Sequence, residues 1–366
     1  MKIGRQAESV LHSGRVIYFL SLVAVFYGGV AVAETDNAGG QVLVQWDNDL
    51  LAGSDRDYTN GVRVGYLREL PEGSALDNSL RRLLYPLTGA TASSPFDKWR
   101  FRGESKQRFA WGFGLTQLMY TPDDPYADSA PEGERPYAGW LGAELSLHVK
   151  NRRSVSSVTV SVGSTGEASF AEETQEWIHR NVSRTPVYQG WASQVPAEAT
   201  FNLHFDHKLS MGWASRPNLG PIELDGYYEW GAALGNFRTD GYLGILMRAG
   251  YNLPATYTTP RVQLGSYGHA LFRPESLDDD PFSLLGFVGL RATGVLHDIT
   301  LDGPVFREFD TGVDRDPFVG ELLAGIALRY KRCELSLSRT FRTNEFKGQN
   351  ENQSFGSTVL RLGFLF

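Results

Sequence analysis

The residues with the clearest chemical potential lie in the stretch 41–68, at the tip of a predicted β-hairpin. Apolar and polar residues alternate on both sides of this tip, which is the pattern of two half-buried strands. Asn48, Asp49 and Thr59 place an amide, a carboxylate and a hydroxyl there. Because calcium takes six to eight oxygen ligands, including backbone carbonyls, these residues could bind it. The same residues also fit a solvated hairpin tip that binds nothing.

A second group of candidates lies on a predicted helix that begins near Ser169. Ser169 and Glu172 match the capping-box pattern, and the residues that follow as far as Val182 include good helix formers and neither glycine nor proline. Gln175 and His179 are four residues apart and therefore share one helix face. A histidine near a bound cation could take a proton from water during ester hydrolysis, with Gln175 orienting its ring. A surface histidine without a catalytic role fits the same pattern.

Several classes of function find no support in the sequence. It contains no GxSxG, no HExxH and no cysteine cluster, so serine-hydrolase and zinc-protease motifs are absent. The single cysteine, Cys333, excludes an internal disulfide. A net charge of −7 gives no support to nucleic acid as a partner.

The elements that must position these candidates are predicted to be transmembrane strands. The 366 residues include 40 Gly, 21 Phe, 16 Tyr and 8 Trp, which suit many short strands, tight turns and interfacial aromatic girdles. After residue 33 no stretch has the continuous apolar length of a membrane helix. A soluble β-sandwich shares these counts, and the alternating residues that end at Phe366 favour the barrel. We therefore predict an all-β fold: an antiparallel up-and-down transmembrane β-barrel of about twelve strands, with a short helix in an extracellular loop.

Strand alternation supports this prediction along most of the chain. In 138–149, for example, Leu145 and Leu147 share one face, and Glu144 and His148 share the other, which must point into the lumen. Thirteen segments alternate, and bacterial barrels favour an even number, so we assign 264–272 to a loop or a segment inside the lumen. Paired charges are predicted to fill the lumen: Arg63, Glu144, His148, Glu321, Arg329 and Arg361.

The two ends agree with export to an outer membrane. Basic residues, an apolar run and the sequence Ala31-Val32-Ala33 predict a signal peptide over 1–33, with an uncleaved signal anchor as the alternative. Residues 34–366 then form one outer-membrane β-barrel enzyme domain. The last residues alternate up to Phe366, as in the closing strand of bacterial outer-membrane barrels. With a periplasmic N-terminus, the hairpin tip and the helix lie on the cell surface; we assign no role to the long segment at about 70–107.

Six short strings add a family resemblance. They occur in a fixed order and, with the closing strand, cover essentially the whole mature chain: Asn48-Asp49, residues 55–61, Tyr120-Thr121-Pro122, residues 135–140, residues 173–179 and residues 190–194. Each string alone is weak, but the ordered set resembles the lipid A 3′-O-deacylase family of outer-membrane barrels.

The resemblance implies a function and a set of roles. The function is a calcium-dependent esterase that removes the 3′-linked acyloxyacyl chain of lipid A, in the outer leaflet of a Gram-negative outer membrane. His179 would be the base that activates water, with Gln175 nearby as a further catalytic residue. Asn48, Asp49 and Thr59 would form the metal and oxyanion site, with Thr59 also counted as catalytic. The expected partner is membrane-embedded lipopolysaccharide, and a monomer is expected.

The chain departs from the family pattern at two places. His179 is followed over 180–186 by no carboxylate, although the family has an acidic residue there, and 126–128 offer Tyr-Ala-Asp where the family has a lysine. Acyl-chain preference does not follow from the sequence. Two alternatives therefore stay open: a non-enzymatic barrel, either porin or structural, and a phospholipase on the same scaffold.

Overall fold

Twelve antiparallel strands form a closed barrel in which each strand pairs with the next and the last pairs with the first. The computed structural model describes residues 39–49, 57–80, 108–150, 154–183, 186–211, 221–254, 260–266, 282–349 and 352–365. The strands are β1 Gly39–Asn48, β2 Asp57–Glu69, β3 Arg108–Thr121, β4 Ala138–Lys150, β5 Ser154–Thr165, β6 Ala199–Ser210, β7 Glu223–Gly235, β8 Arg238–Tyr251, β9 Phe282–Asp298, β10 Phe318–Tyr330, β11 Cys333–Arg342 and β12 Gln353–Leu365. The predicted fold class is confirmed.

Two helical regions bear on the predictions. The loop between β5 and β6 carries helix α1, Ala171–Ile178, which continues as a π-helical turn over His179–Ser183. Residues 75–80 of the long segment after β2 are helical, and 81–107 lie outside the described residues, as does the predicted signal peptide. None of the helices in the described ranges has the length and apolar character of a membrane span.

The strands alternate as transmembrane strands must. On β4, Glu144 is 1% exposed, whereas its neighbour Leu145 is 60% exposed. Charge at the lipid face is costly, so polar residues turn to the lumen and apolar residues to the outer wall. In the lumen, Arg63 Nη2 lies 2.6 Å from Glu144 Oε2, and Arg361 pairs with Glu334. The predicted filling of the lumen by paired charges is confirmed for Arg63, Glu144, Glu321 and Arg361, whereas His148 bonds to the hydroxyl of Ser146.

A segment between β8 and β9, residues 260–266, lies inside this lumen. The amide of Val262 donates to Asp47 Oδ2 of β1 at 2.9 Å. The amide of Gly265 donates to Glu144 Oε2 of β4, also at 2.9 Å. Both acceptors are inward-facing side chains, and a segment that reaches several of them must run within the barrel. We call residues 260–266 the lumen segment.

The lumen segment also reaches the opposite side of the barrel. Arg261 Nη2 donates to Glu321 Oε2 on β10 at 2.6 Å, and Ser338 Oγ on β11 donates to the Pro260 carbonyl at 2.8 Å. The prediction that 264–272 is a loop or lumen segment is therefore confirmed for 264–266, and 267–272 lie outside the described residues.

Aromatic residues pack across the barrel end at which β1 ends and β2 begins, which we call the upper rim. Phe355 lies edge-on to Tyr58 with ring centroids 4.9 Å apart, and Phe237 packs on Trp140 at 4.8 Å. Val262 of the lumen segment belongs to the same buried cluster. The upper rim is thus packed with side chains above a lumen that is already occupied.

Candidate active site

The polar residues of the β1–β2 hairpin gather at a β-bulge. Tyr58 pairs with Tyr120 of β3, and Asn60 pairs with the next residue, Met119, so that Thr59 is the extra residue. Strict alternation would place Tyr58 and Asn60 on one side of the wall. A bulge breaks this alternation and re-aims side chains, a device common beside active sites.

The bulge sends Tyr58 and Asn60 to opposite sides. The Tyr58 hydroxyl donates to Asp47 Oδ2 in the lumen at 3.2 Å. Asn60 Oδ1 accepts from Trp46 Nε1 at 2.9 Å, and Trp46 alternates with Asp47 on β1, so this pair lies on the outer wall. The chain thereby turns from the lumen to the outer wall within three residues.

Thr59 faces the outer wall as well. Its hydroxyl oxygen lies 2.6 Å from the hydroxyl oxygen of Thr121, and both side chains are buried. On β3, Thr121 lies on the same side as Met119, because residues two apart on a strand share a face. Met119 in turn belongs to the buried cluster that contains Ala171 of α1. Thr59 and α1 are therefore on the same outward face of the barrel.

The predicted metal residues of β1 converge on Thr59. Asn48 Nδ2 and the Asp49 backbone amide each donate to the Thr59 carbonyl oxygen, both at 3.3 Å. Both side chains are buried. The rest of the predicted tip, 50–56, lies outside the described residues. The structure thus brings the three predicted oxygen donors, Asn48, Asp49 and Thr59, to one place.

Helix α1 lies against the outer wall over β3 and β4. A Cβ atom at Gly139 of β4 would lie 2.5 Å from the Cβ of Ala171 and 2.1 Å from Ser169 Oγ, so only glycine permits this approach. From β3, Gln117 Nε2 donates to the Ser169 carbonyl at 2.6 Å and to Thr174 Oγ1 at 3.2 Å. The predicted helix is confirmed, and it packs against the outer wall of the barrel.

The predicted capping box at the start of α1 is wrong. Phe170 takes the N-cap position with φ +53° and makes no side-chain capping bond. Ser169 lies one residue too early, and its hydroxyl donates to the Gly166 carbonyl at 2.6 Å and accepts from the Ala171 amide at 3.3 Å. Glu172 is exposed. The left-handed turn at Phe170 shifts the start of the helix by one residue.

Gln175 and His179 share the buried face of the helix, as predicted. Gln175 Oε1 accepts from Trp191 Nε1 at 2.7 Å. His179 Nδ1 lies 2.5 Å from the Pro186 carbonyl oxygen. A carbonyl only accepts, so Nδ1 carries the proton, and in the neutral ring Nε2 is the basic nitrogen. The Tyr188 ring packs at a steep angle to this imidazole, with centroids 5.7 Å apart.

Pro186 resolves one departure from the family pattern. No carboxylate follows His179 over 180–186, yet the protonated ring nitrogen, Nδ1, has a hydrogen-bond acceptor. The acceptor is a backbone carbonyl, which orients the ring and sets its tautomer without adding a charge.

An aromatic cluster holds α1 to the upper rim. Its buried members are Met119, Tyr137, Ala171, Tyr188 and Trp191. Tyr137 and Trp191 have ring centroids 5.3 Å apart. Burial, with a smaller contribution from nearby carboxylates, raises the pKa of Tyr137 to about 12. The phenol therefore stays neutral over the physiological range and packs as an aromatic residue.

The described hydrogen bonds join the hairpin residues to one another and fix the helix residues within their own loop. None of these bonds runs directly from the helix pair, Gln175 and His179, to the hairpin residues. Within the described ranges, no group of three His, Cys, Asp or Glu side chains could hold a metal. Of the predicted ligands in the described part of the chain, Asp49 is the carboxylate, and amide, hydroxyl and backbone oxygens would complete the set. That donor set suits calcium better than zinc, which prefers nitrogen and sulfur.

Three contributors to this site were not assigned a role from the sequence. Thr121 and Trp191 stand within the strings that carry the family resemblance, so their positions were visible but their partners were not. Nothing in the sequence pointed to the Pro186 carbonyl, because every residue supplies a backbone carbonyl. Each was identified only through a contact with a residue distant in the chain or across a turn.

Fold and contacts together define a transmembrane β-barrel with a cluster of buried polar residues at the outer wall of its upper rim. The sequence profile of the family described as outer membrane protein LpxR matches residues 18–364. The chain belongs to this LpxR family, and the family predicted from the ordered strings is confirmed.

A solved structure shows the same fold. LpxR from Salmonella typhimurium superposes with a TM-score of 0.64 at 18% identity, covering 88% of this chain and 99% of its own. The β-domain of the Bordetella autotransporter BrkA matches with a TM-score of 0.38 at 9% identity, covering 89% of this chain and 98% of its own. No curated protein sequence matches the chain.

Proposed function

We propose that the protein is an outer-membrane lipid A deacylase that hydrolyses the 3′-linked acyloxyacyl ester with a water activated by His179. One observation carries this proposal: a histidine with its Nδ1 proton held by the Pro186 carbonyl lies on a helix packed against the same outward face as Thr59, whose carbonyl accepts from Asn48 and from the Asp49 amide. A site on the outer wall is where a lipid ester can reach it without leaving the membrane.

The direction of α1 supports cooperation between the helix and the hairpin. Ala171 packs on Gly139 of β4, and Thr174 reaches Gln117 of β3, so the helix crosses from β4 towards β2. His179 lies five residues beyond Thr174, which is about 7.5 Å at the helical rise, and neighbouring strands are about 4.8 Å apart. This advance carries His179 towards the strand that bears Thr59.

In this proposal each residue has one task. His179 Nε2 takes a proton from water as the water attacks the ester carbonyl carbon, and then gives the proton to the departing alkoxide oxygen. The Pro186 carbonyl stabilises the imidazolium formed in between and keeps the ring in place. Gln175, held by Trp191, fixes the turn of α1 that presents His179. General-base help of this kind contributes typically about 10² to 10⁴ in rate.

Calcium is part of the proposal. Asp49, Asn48 and Thr59 would hold it, and when bound it would polarise the ester carbonyl and stabilise negative charge on its oxygen. We further propose that the upper rim faces the outer leaflet, where lipopolysaccharide lies, and that the protein acts as a monomer.

The lumen argues against an open pore. The lumen segment bonds to inward-facing residues on several strands, and aromatic residues pack across the upper rim. A phospholipase on this scaffold would use the same chemistry on another ester, and the test below separates it from a lipid A deacylase.

The test compares lipid A and phospholipids from outer membranes that contain the wild type or His179→Ala, by mass spectrometry with calcium present. A matched control is His207→Ala on β6, because His207 packs on Trp230 of the outer wall, with centroids 4.2 Å apart. Its ring bonds to Ser156 near the start of β5, at the barrel end opposite the upper rim and away from α1. We expect the wild type and His207→Ala to remove one acyloxyacyl unit, and His179→Ala to be inactive while still migrating as a heat-modifiable barrel.

Chelation and a second substitution complete the design. A chelator should silence the wild type, calcium should restore it, and Asp49→Ala should not respond to added calcium. If phospholipid is cleaved while lipid A stays intact, the substrate is a phospholipid and the proposed site is retained. A fully active His179→Ala protein would remove the mechanism.

A further inference from the structure

Helix α1 has two flanks of opposite character. Phe170, Thr174 and Trp177 follow the spacing i, i+4, i+7 and line one flank, which we call the aromatic flank. Glu172 and Glu176 repeat this spacing two residues later and line the other flank, and His179 lies at its inner edge, on the face that is buried against the barrel. At about 100° per residue, the two sets lie on opposite sides of the face that packs on the barrel.

Contacts with β3 show which flank faces the middle of the barrel. Thr174 Oγ1 accepts from Gln117 Nε2, whereas Ala171 clusters with Met119, two residues nearer the upper rim. The flank that contains Thr174 is therefore the one turned away from the rim. The other flank bears His179, whose imidazole contacts Pro186 and Tyr188 in the connection between α1 and β6.

The aromatic flank is exposed and borders the lipid-facing band of the barrel. Phe170 is 57% exposed and Trp177 is 43% exposed. Gln117 pairs in register with Leu141 of β4, and Leu115, two residues further from the rim, is exposed on the outer wall. The apolar band thus begins directly below the helix, and the two aromatic rings continue it.

Backbone strain at Phe170 points to a role for its ring. A left-handed φ of +53° is unusual for a bulky residue, and asparagine or glycine would adopt it at lower cost. The protein buries less than half of the surface of this residue, which is 57% exposed. Contact with lipid would bury the rest.

We propose that Phe170 and Trp177 insert between the acyl chains of the leaflet and hold α1 at a fixed depth at the membrane interface. Amphipathic helices bind membranes in this way, and tryptophan is enriched at the boundary between acyl chains and headgroups. A consequence, which rests on the proposed function, is that His179 on the opposite flank stays level with the ester bonds of the lipid substrate.

The depth is measured without any reference to hydrolysis. Cys333, the only cysteine of the chain, is replaced by serine, and a fluorescent label is attached at Trp177→Cys or, as the matched control, at exposed Glu173→Cys on the solvent side of α1. The protein is placed in phosphatidylcholine vesicles that contain brominated acyl chains. We expect quenching by bromine at position 177 and quenching by aqueous iodide at position 173. Iodide quenching at both positions, with bromine acting at neither, would overturn the proposal.

A second arm measures lipid A turnover in Phe170→Asn/Trp177→Ser. Asparagine accepts the left-handed φ, so this variant relieves strain while removing both rings. We expect turnover to fall about tenfold in bilayers, with about wild-type turnover on detergent-dispersed substrate, because burial of two rings in lipid is lost only in the bilayer. Phe306→Ser, an exposed aromatic of another loop, should match the wild type in both. Equal losses in bilayers and detergent would contradict a lipid contact. A wild type that never hydrolyses lipid A would refute the proposed function alone, and the quenching result would then decide this proposal.

Discussion

Thr121 offers the sharpest test of how the hairpin is held for catalysis. Its hydroxyl lies 2.6 Å from that of Thr59, and both side chains are buried, so Thr121→Val keeps the shape of the site and removes only one hydrogen-bonding partner. A buried hydroxyl left without its partner costs about 1–3 kcal/mol. At about 1.4 kcal/mol per factor of ten, loss of this support should lower the turnover rate about 5- to 160-fold.

The assay is lipid A turnover by mass spectrometry, with folding followed by heat-modifiable migration on gels. Thr116→Val is the matched control: it removes a buried hydroxyl from the same strand, where Thr116 donates to Glu144 Oε1 at 2.8 Å inside the lumen. This variant should lose thermal stability and keep its turnover rate. Thr121→Ser, which retains a hydroxyl, should recover most of the activity.

Two results would refute the reasoning. A folded Thr121→Val protein with wild-type turnover would show that the orientation of Thr59 does not matter for the reaction. Equal losses of turnover in Thr121→Val and Thr116→Val would mean that the effect comes from general destabilisation of β3 and has no connection with the site.

Three further predictions concern the rim and the lumen. Burial raises the pKa of Tyr137 from 10.0 to about 12. The stability that the neutral phenol contributes is therefore complete below pH 10 and is lost as the pH rises towards 12. Trp191 fluorescence should report the loosening of the Tyr137–Trp191 contact at alkaline pH, and Tyr137→Phe should shift this change to higher pH. Arg135→Ala should lower the thermal unfolding midpoint, because buried Glu345 loses its nearer partner, Arg135 Nη1 at 2.7 Å, and keeps Arg342 Nη1 at 3.3 Å. The cost should lie below the about 3–5 kcal/mol of an unpaired buried charge, and adding Glu345→Gln should restore part of the loss. In planar bilayers the wild type should show no steady ion conductance, because the lumen segment bonds across the barrel, and a stable open channel would contradict the filled lumen.

The Pro186 carbonyl changes what is expected at low pH. A carboxylate partner would add a negative charge beside His179, whereas a carbonyl accepts the same hydrogen bond without a charge. Activity should therefore not depend on the ionisation of a partner acid, so a second acidic pKa should be absent from the pH–rate profile. Since the partner atom belongs to the backbone, Pro186→Ala should retain it, and a large loss of activity in this variant would point to a change in the loop.

Local pattern alone was enough to predict the barrel. Lipid on one side of the wall and paired charges on the other impose a period of two on every strand, so segments such as 138–149 could be read without knowing their neighbours. The even strand number that bacterial barrels favour, and not the alternation itself, excluded 264–272 from the wall. Helix α1 could be predicted equally well, because Gln175 and His179 lie four residues apart in a run without glycine or proline. The ordered strings then identified the family.

Tertiary structure decided how these parts form a site. The bulge at Thr59 depends on the register between β2 and β3, which alternation within one strand does not specify. The start of α1 moved by one residue because Phe170 adopts a left-handed conformation beside the wall. Thr121 and the Pro186 carbonyl entered the site through contacts across strands and across a turn. Sequence periodicity reports which face of an element is buried, whereas the partner on that face is set by strand order, register and loop packing, and these exist only in the folded chain.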